Sequence, residues 1–391
     1  MAFCEAQPTI QSAHVEKFPS LVATPGLPGG FPNFEDSPLA WTGKQFTNES
    51  EFIHVFSDDD ILELEAALDH FKARAGLGLD GDHITKETFP LPNLASKLEI
   101  VRQDLHNGKG FGLIRGLDPK KYLVEDLTML YLGIQTHVAN QTGRQDSKGN
   151  MLGRGRFRHL KGGMHIVADN SSKIKAGHHR HSTEAITFHN EEAGDIVSWL
   201  TRSVAASGGK CIIASAYAVY NVLAADRPDL VRALAGADWP FALPRFQCRP
   251  VLFNHDGRLI INFGRTPLVG SVSHPRSSQL PGLSLRQMEA LDAVEELAKS
   301  FQLEIVTRAG DIHFINNLAI LHRREGFQNG TSSGEKRHLV RMRLRDDELA
   351  WALPEALQEE WSSAFDDTKT SKMWHLEPMP DGYFPLRSQA N

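Results

Sequence analysis

The chain has 391 residues, with 41% hydrophobic and 23% charged content, enough to bury a substantial core in one large domain or two ordinary ones. A formal charge of −6 gives no electrostatic case for nucleic acid, and no run approaches the ~18 consecutive apolar residues of a membrane span. Three cysteines (Cys4, Cys211 and Cys248) lack paired or zinc-type spacing, and no basic-then-apolar leader opens the chain, so a reduced, cytoplasmic compartment is expected.

Residues 1–45 read as an N-terminal arm, rich in turn text such as TPGLPGGFPNFEDSP, and residues 46–391 as a single domain. The first helix is expected at Ser57-Asp58-Asp59-Asp60, a run of N-cap and first-turn acids. Behind it Ile61, Leu64, Ala67, Leu68 and Phe71 keep a helical period. A second helix is expected over residues 93–106, then a glycine-bounded strand in GKGFGLIRGL and another amphipathic helix in EDLTMLYLGIQTHVA.

From about residue 150 the text turns to short β-branched or aromatic runs: HIVAD, AITFH, DIVSWL, KCIIAS, FQCRPVLFN and RLIINFG. NHDGR between the last two predicts a hairpin. Helices are expected in AYAVYNVLAAD, in PDLVRALAG and in SLRQMEALDAVEELAKSF, where Ser284 and Gln287 stand in capping-box register. EIVTR, DIHFIN, LAILH and RHLVRMRLR close the series of strands. Many short strands with peripheral helices predict a mainly β, jelly-roll core wrapped by helices, with the N-terminal third as a buttress.

Two distant segments carry chemistry. FHNEE holds His189 and Glu191 two residues apart, which on a strand places both on one face. His322, far along the chain in LAILHRREGF, is expected from the opposite end of a barrel sheet. Two imidazoles and one carboxylate with open positions suit non-haem Fe(II). Among the other histidines, His178, His179 and His181 read as a basic loop at the mouth of the site. His313 reads as structural and Asp311 as a turn residue, and His165, His274 and His338 as ordinary core or surface histidines.

KRHLVRMRLR alternates, with Arg337, Leu339, Arg341, Arg343 and Arg345 on one face. The plain reading is a strand with a solvated basic face. Beside an iron site a guanidinium can also grip the distal carboxylate of 2-oxoglutarate bidentately. A second one, about 13 Å further by strand rise, can meet an anionic substrate. Arg337 is thus the candidate co-substrate anchor and Arg341 the candidate substrate contact, with Arg324, two residues beyond His322, the next candidate for the co-substrate.

These residues resemble the taurine dioxygenase family of Fe(II)/2-oxoglutarate oxygenases, within the clavaminate-synthase-like group. The likeness runs through PLAWTGKQF, FPLPNL, GKGFGLIRGL, the His-x-Glu segment, SGGKCIIAS, RPDLVRAL, NNLAILHRREGF and RHLVRMRL. It implies a double-stranded β-helix, iron held by His189, Glu191 and His322, Arg337 on the co-substrate carboxylate and Arg341 toward the substrate. It also implies O2 as oxidant, with succinate and CO2 released. Three departures stand out. Glu191 replaces the aspartate of many relatives and is familiar in the branch that resembles amino-acid oxygenases and clavaminate synthase. Cys211 falls where taurine-type enzymes have a threonine that bonds the co-substrate, and a thiol is a weaker donor. The loop carrying QNGTSSGE is longer, so Arg337 is assigned from the Arg-x-x-x-Arg pattern rather than from its distance to the histidine.

The expected reaction is oxidation of an unactivated C–H bond in a small molecule bearing an acid group, an amino acid or derivative, in natural-product metabolism. The competing readings are a sulfonate or aryloxy-acid dioxygenase and a jelly-roll binding module that has lost catalysis. Oligomeric state is not legible in the sequence.

Overall fold

The computed structural model describes residues 26–73, 81–144, 166–167, 183–271 and 275–366. The N-terminal third supplies strand β1 (Ile53–Val55), helices α1 (Asp58–Ala73) and α2 (Ala95–His106), strand β2 (Phe111–Arg115) and helix α3 (Val124–Thr136). Strands β3 (Gln141–Gly143), β4 (Ile166–Val167), β5 (Ile186–His189), β6 (Ile196–Ser203), β7 (Ser207–Gly208) and β8 (Cys211–Ser215) follow. Helices α4 (Ala216–Asp226) and α5 (Pro228–Leu234) lead to strands β9 (Pro240–Phe241), β10 (Gln247–Cys248), β11 (Leu252–His255) and β12 (Arg258–Ile261), and to short helix α6 (Arg265–Val269). Helix α7 (Leu285–Phe301) precedes β13 (Leu303–Ile305), β14 (Ile312–Asn316), β15 (Ile320–Arg324), β16 (Phe327–Gln328), β17 (His338–Arg345) and helix α8 (Glu355–Phe365).

Local chemistry sets several boundaries. Ser57 and Asp60 cap α1 reciprocally: Ser57 N donates to Asp60 Oδ2 at 2.8 Å, and Asp60 N to Ser57 Oγ at 3.3 Å. Asp60 also pairs with Lys97 at 2.6 Å, tying α1 to α2. The expected capping box of α7 is present, with Ser284 N donating to Gln287 Oε1 at 2.9 Å and Gln287 N to Ser284 Oγ at 3.2 Å. The β11–β12 hairpin turns through Asp256 (φ 49°) and Gly257 (φ 69°), the left-handed pair that a two-residue hairpin of this twist requires. FQCRPVLFN, expected as one run, is split between β10 and β11 at Arg249-Pro250, since proline has no N–H for a ladder.

Two antiparallel-dominated sheets form the jelly roll. The larger runs β1-β2-β14-β6-β17-β3, with β4 also on β17; the smaller runs β13-β8-β15-β5. Alternation along the strands divides the core. Val340, Met342 and Leu344 of β17, Leu200 of β6 and Phe314 of β14 pack against Leu64, Leu98, Val101 and Leu130 of the helices. The opposite face puts Val197, Trp199 and Leu339 toward Phe188, Ile213 and Leu321 of the smaller sheet. Each fully buried Leu or Phe contributes about 1.5–3 kcal/mol, so this sorting fixes strand register.

The sequence reading did not anticipate β1, α8 or the way residues 26–52 lie on the jelly roll. Leu39 and Trp41 are buried there, and Trp41 Nε1 donates to Lys109 O at 2.7 Å. Among the described residues no helix is long and apolar enough to cross a membrane.

Candidate metal centre and its cavity

His189 ends β5, and Glu191 lies just beyond it in the following loop rather than on the strand. The expectation that strand alternation alone aligns the two is corrected: two asparagines hold the loop. Glu191 N donates to Asn317 Oδ1 at 2.8 Å, and Asn317 Nδ2 donates to Glu191 O at 3.2 Å and Gly194 O at 2.9 Å. Asn190 Nδ2 bonds Asn317 O at 2.7 Å, while Phe263 N donates to Asn190 Oδ1 at 3.0 Å. The only local sign of this bracket was the Asn316-Asn317 pair between two strands.

His322 also enters differently from expectation. It belongs to β15, the immediate neighbour of β5, and stands directly opposite His189 in the antiparallel register. The chain departs after β5, runs through β6 to β14 and helices α4 to α7, and returns beside it, so sequence distance says nothing about sheet distance.

One nitrogen from each histidine and a carboxylate oxygen of Glu191 all lie within 4.8 Å of one another. The imidazole centroids are 4.3 Å apart, and His322 Nε2 is 3.8 Å from Glu191 Oε1. His189 Nδ1 lies 2.9 Å from Thr187 O, an atom that can only accept, so Nδ1 carries the proton and Nε2 keeps a lone pair. That is the usual outer bond of a metal-bound histidine, and two imidazoles with one carboxylate fit Fe(II).

The triplet lies in the wall of a cavity, together with Trp199, Cys211, Arg324, Arg337, Leu339 and Arg341. The plain reading of β17, a solvated basic face, is overturned: Arg341 and Arg343 are buried. Arg341 is paired with Glu191, Arg343 bonds Glu192 at 3.1 Å, and Arg345 bonds Asp195 at 3.0 Å. These acids follow one another in the loop after β5, so β17 lays its arginines along them.

Arg324 and Arg337, also in the cavity wall, lie 4.8 and 5.4 Å from the ring centre of Phe327. Burial lowers Arg324 to about 9, aided by the like charge of Arg337, and burial lowers Arg337 to about 10. Cys211 stands beside them, its thiol pushed up to about 12 by burial against a smaller pull from Arg337. It therefore remains a neutral, weak donor at physiological pH.

His313 is structural as expected, stacked on Trp199 at 4.8 Å. Asp311 is more than a turn residue: besides accepting from Arg308 N at 2.7 Å, it holds Arg115 bidentately at 2.8 Å, fully buried. His338 is half-buried on β17. Cys248 is exposed and free, whereas Cys4, His165, His178, His179, His181 and His274 lie outside the described residues.

Residues 75–343 match the family model described as taurine catabolism dioxygenase TauD, TfdA family. The chain belongs to this family. It is a non-haem Fe(II)/2-oxoglutarate-dependent dioxygenase. It is 35% identical over 354 residues to the taurine hydroxylase-like protein SAT17 of Stachybotrys chartarum, covering 88% of each chain. With the FR-33289 synthase of Streptomyces rubellomurinus it shares 22% over 320 residues, covering 77% of this chain and 87% of the synthase. Asparagine oxygenase, solved with Fe(II), 3-hydroxyasparagine and succinate, superposes with a TM-score of 0.56 at 14% identity, over 75% of this chain and 93% of that one. The non-heme iron oxygenase OrfP, solved with Fe, gives 0.52 at 13%, over 75% and 94%. These two structures share the fold.

Proposed function

We propose that this dioxygenase oxidises an unactivated C–H bond of a small acid-bearing molecule, an amino acid or close derivative, in natural-product metabolism. The observation that carries this reading is the convergence of His189, Glu191 and His322 on one cavity that also presents Arg337 and Arg341. In it His189, Glu191 and His322 hold Fe(II), Arg337 grips the distal carboxylate of 2-oxoglutarate with Arg324 and Cys211 beside it, and Arg341 receives the acid group of the substrate. Iron and 2-oxoglutarate, when bound, supply an O2-derived oxidant and release succinate and CO2.

The chain's own residues do the positioning. Arg341 sits against Glu191, so an acid group drawn to its guanidinium is held next to a metal ligand. Val197, Trp199 and Leu339 make apolar walls that keep water from the reacting carbon. The amino-acid preference is supported by Glu191, the carboxylate of the amino-acid branch, and by the fold shared with asparagine oxygenase and with OrfP, solved with succinate and a dihydroxyarginine. We also read residues 46–391 as one oxygenase domain behind an arm, working in the cytoplasm, where Cys211 and Cys248 remain unpaired.

The test is succinate release with Fe(II) and 2-oxoglutarate across a panel of free amino acids, sulfonates and aryloxy acids. Coupled turnover is expected with a member of the first group. Turnover confined to taurine-like sulfonates or aryloxy acids overturns the substrate class while leaving the enzyme class in place.

A further inference from the structure

We infer that Thr201 supplies the hydroxyl that meets the distal carboxylate of the co-substrate beside Arg337, at the point where Cys211 offers only a thiol. This rests on the reading of Arg337 as the co-substrate anchor.

A second cavity has walls that include Thr201, Gly209, Lys210, Thr307, Arg337 and Leu339. Arg337 and Leu339 also line the metal cavity, so Arg337 stands in the wall common to both. Arg337 thus borders both the space at the metal ligands and this second space. Strand β6 makes the connection. Val197 and Trp199 face the metal cavity, and Thr201, the next residue in that alternation, faces the second one. The register with β17 sets Trp199 opposite Arg341 and Thr201 opposite Leu339.

Thr201 is 1% exposed, and its Oγ1 has no hydrogen-bond partner among the described residues. Its backbone is fully engaged: Thr201 N donates to Asp311 O at 2.8 Å, and its carbonyl accepts from Gly310 N at 2.7 Å. A buried hydroxyl without a partner costs free energy that valine at the same position avoids, so a bonding role explains threonine there. Two other polar side chains of this cavity have partners. Thr307 Oγ1 has His313 Nε2 at 3.4 Å, and Lys210 is paired with Glu304 at 2.9 Å.

Gly209 completes the seat. Its φ of +80° belongs to the left-handed region, and a Cβ there would lie 3.4 Å from Arg337 Cδ and 3.5 Å from Nε. The glycine lets the chain turn in this conformation directly against the arginine stem. A carboxylate on Arg337 then has a guanidinium on one flank and a threonine hydroxyl free to donate on the other.

The test is the equilibrium binding of two ligands to the Fe(II)-loaded protein without O2, by calorimetry: 2-oxoglutarate, and 2-oxovalerate, which has a methyl in place of the distal carboxylate. Thr201→Val is expected to weaken 2-oxoglutarate about tenfold, the scale of a lost hydrogen bond to a charged group, and 2-oxovalerate by less than about twofold. Thr201→Ser is expected to bind as the wild type does. Unchanged 2-oxoglutarate binding in Thr201→Val, or equal weakening of both ligands in a folded variant, overturns the inference. Arg337→Leu separates the two readings. If it weakens 2-oxoglutarate while Thr201→Val does not, only the role of Thr201 falls; if it has no effect, the anchor reading falls first.

Discussion

Glu191 is paired through Oε1 with Arg341, and the same oxygen lies 3.8 Å from His322 Nε2. One buried carboxylate therefore faces both the candidate metal position and the candidate substrate arginine. The pairing offsets the cost of burying Glu191, which is 2% exposed, and it sets the guanidinium of Arg341 beside the candidate metal position.

The first expectation concerns metal binding. His189→Ala, Glu191→Ala and His322→Ala should each lose tight Fe(II) binding, measured by anaerobic titration. Replacement of His313, the stacked structural histidine, should leave the metal affinity intact. Retention of wild-type affinity by the His322 variant would remove it from the centre.

For Arg337 the effect should appear in the co-substrate. Arg337→Leu is expected to raise the 2-oxoglutarate concentration for half-maximal turnover by on the order of a hundredfold, the equivalent of losing about 3 kcal/mol of charged hydrogen bonding. Iron affinity should stay within about twofold, because Arg337 is not a ligand. If the 2-oxoglutarate dependence is unchanged, Arg324 becomes the anchor.

Arg341→Ala should abolish turnover of the native substrate and leave slow 2-oxoglutarate consumption uncoupled from it. A buried charge deprived of its partner costs about 3–5 kcal/mol, enough to remove productive binding. Comparing succinate formed with product formed measures the uncoupling. Full activity in this variant would favour a neutral or purely hydrophobic substrate.

A stability effect is expected away from the site. Asp311→Ala leaves the Arg115 guanidinium, which it holds at 2.8 Å on two nitrogens, without its carboxylate. The loss should be about 3–5 kcal/mol in chemical denaturation. A change below about 1 kcal/mol would mean that Glu49, at 3.3 Å from Arg115, takes over the charge.

Acid should destabilise the fold through its buried histidines. Burial lowers His313 to about 3 and His106 to about 4, while in the unfolded chain both titrate near 6.5. Between these values the unfolded state binds more protons, so stability falls as pH drops from about 6.5 toward 4. His313→Phe, which keeps a ring on Trp199, should lose less stability than the wild type between pH 7 and pH 5. Parallel losses in the two proteins would assign the acid response to other groups.

Sequence alone carried what is written in neighbouring residues. The spacing of His189 and Glu191 and the alternation of β17 are legible as patterns, and the capping box of Ser284 and Gln287 and the Asp256-Gly257 hairpin are decided by bond geometry within a few residues. The tertiary structure decided everything that depends on which strands lie side by side. It placed His322 opposite His189 in one sheet, bracketed Glu191 with Asn190 and Asn317, and turned the basic face of β17 inward onto Glu191, Glu192 and Asp195. It also set Thr201 beside a second space behind Arg337. Strand periodicity names the face on which a side chain stands, but the partner of that face is chosen by burial summed over the whole jelly roll, and no local pattern contains it.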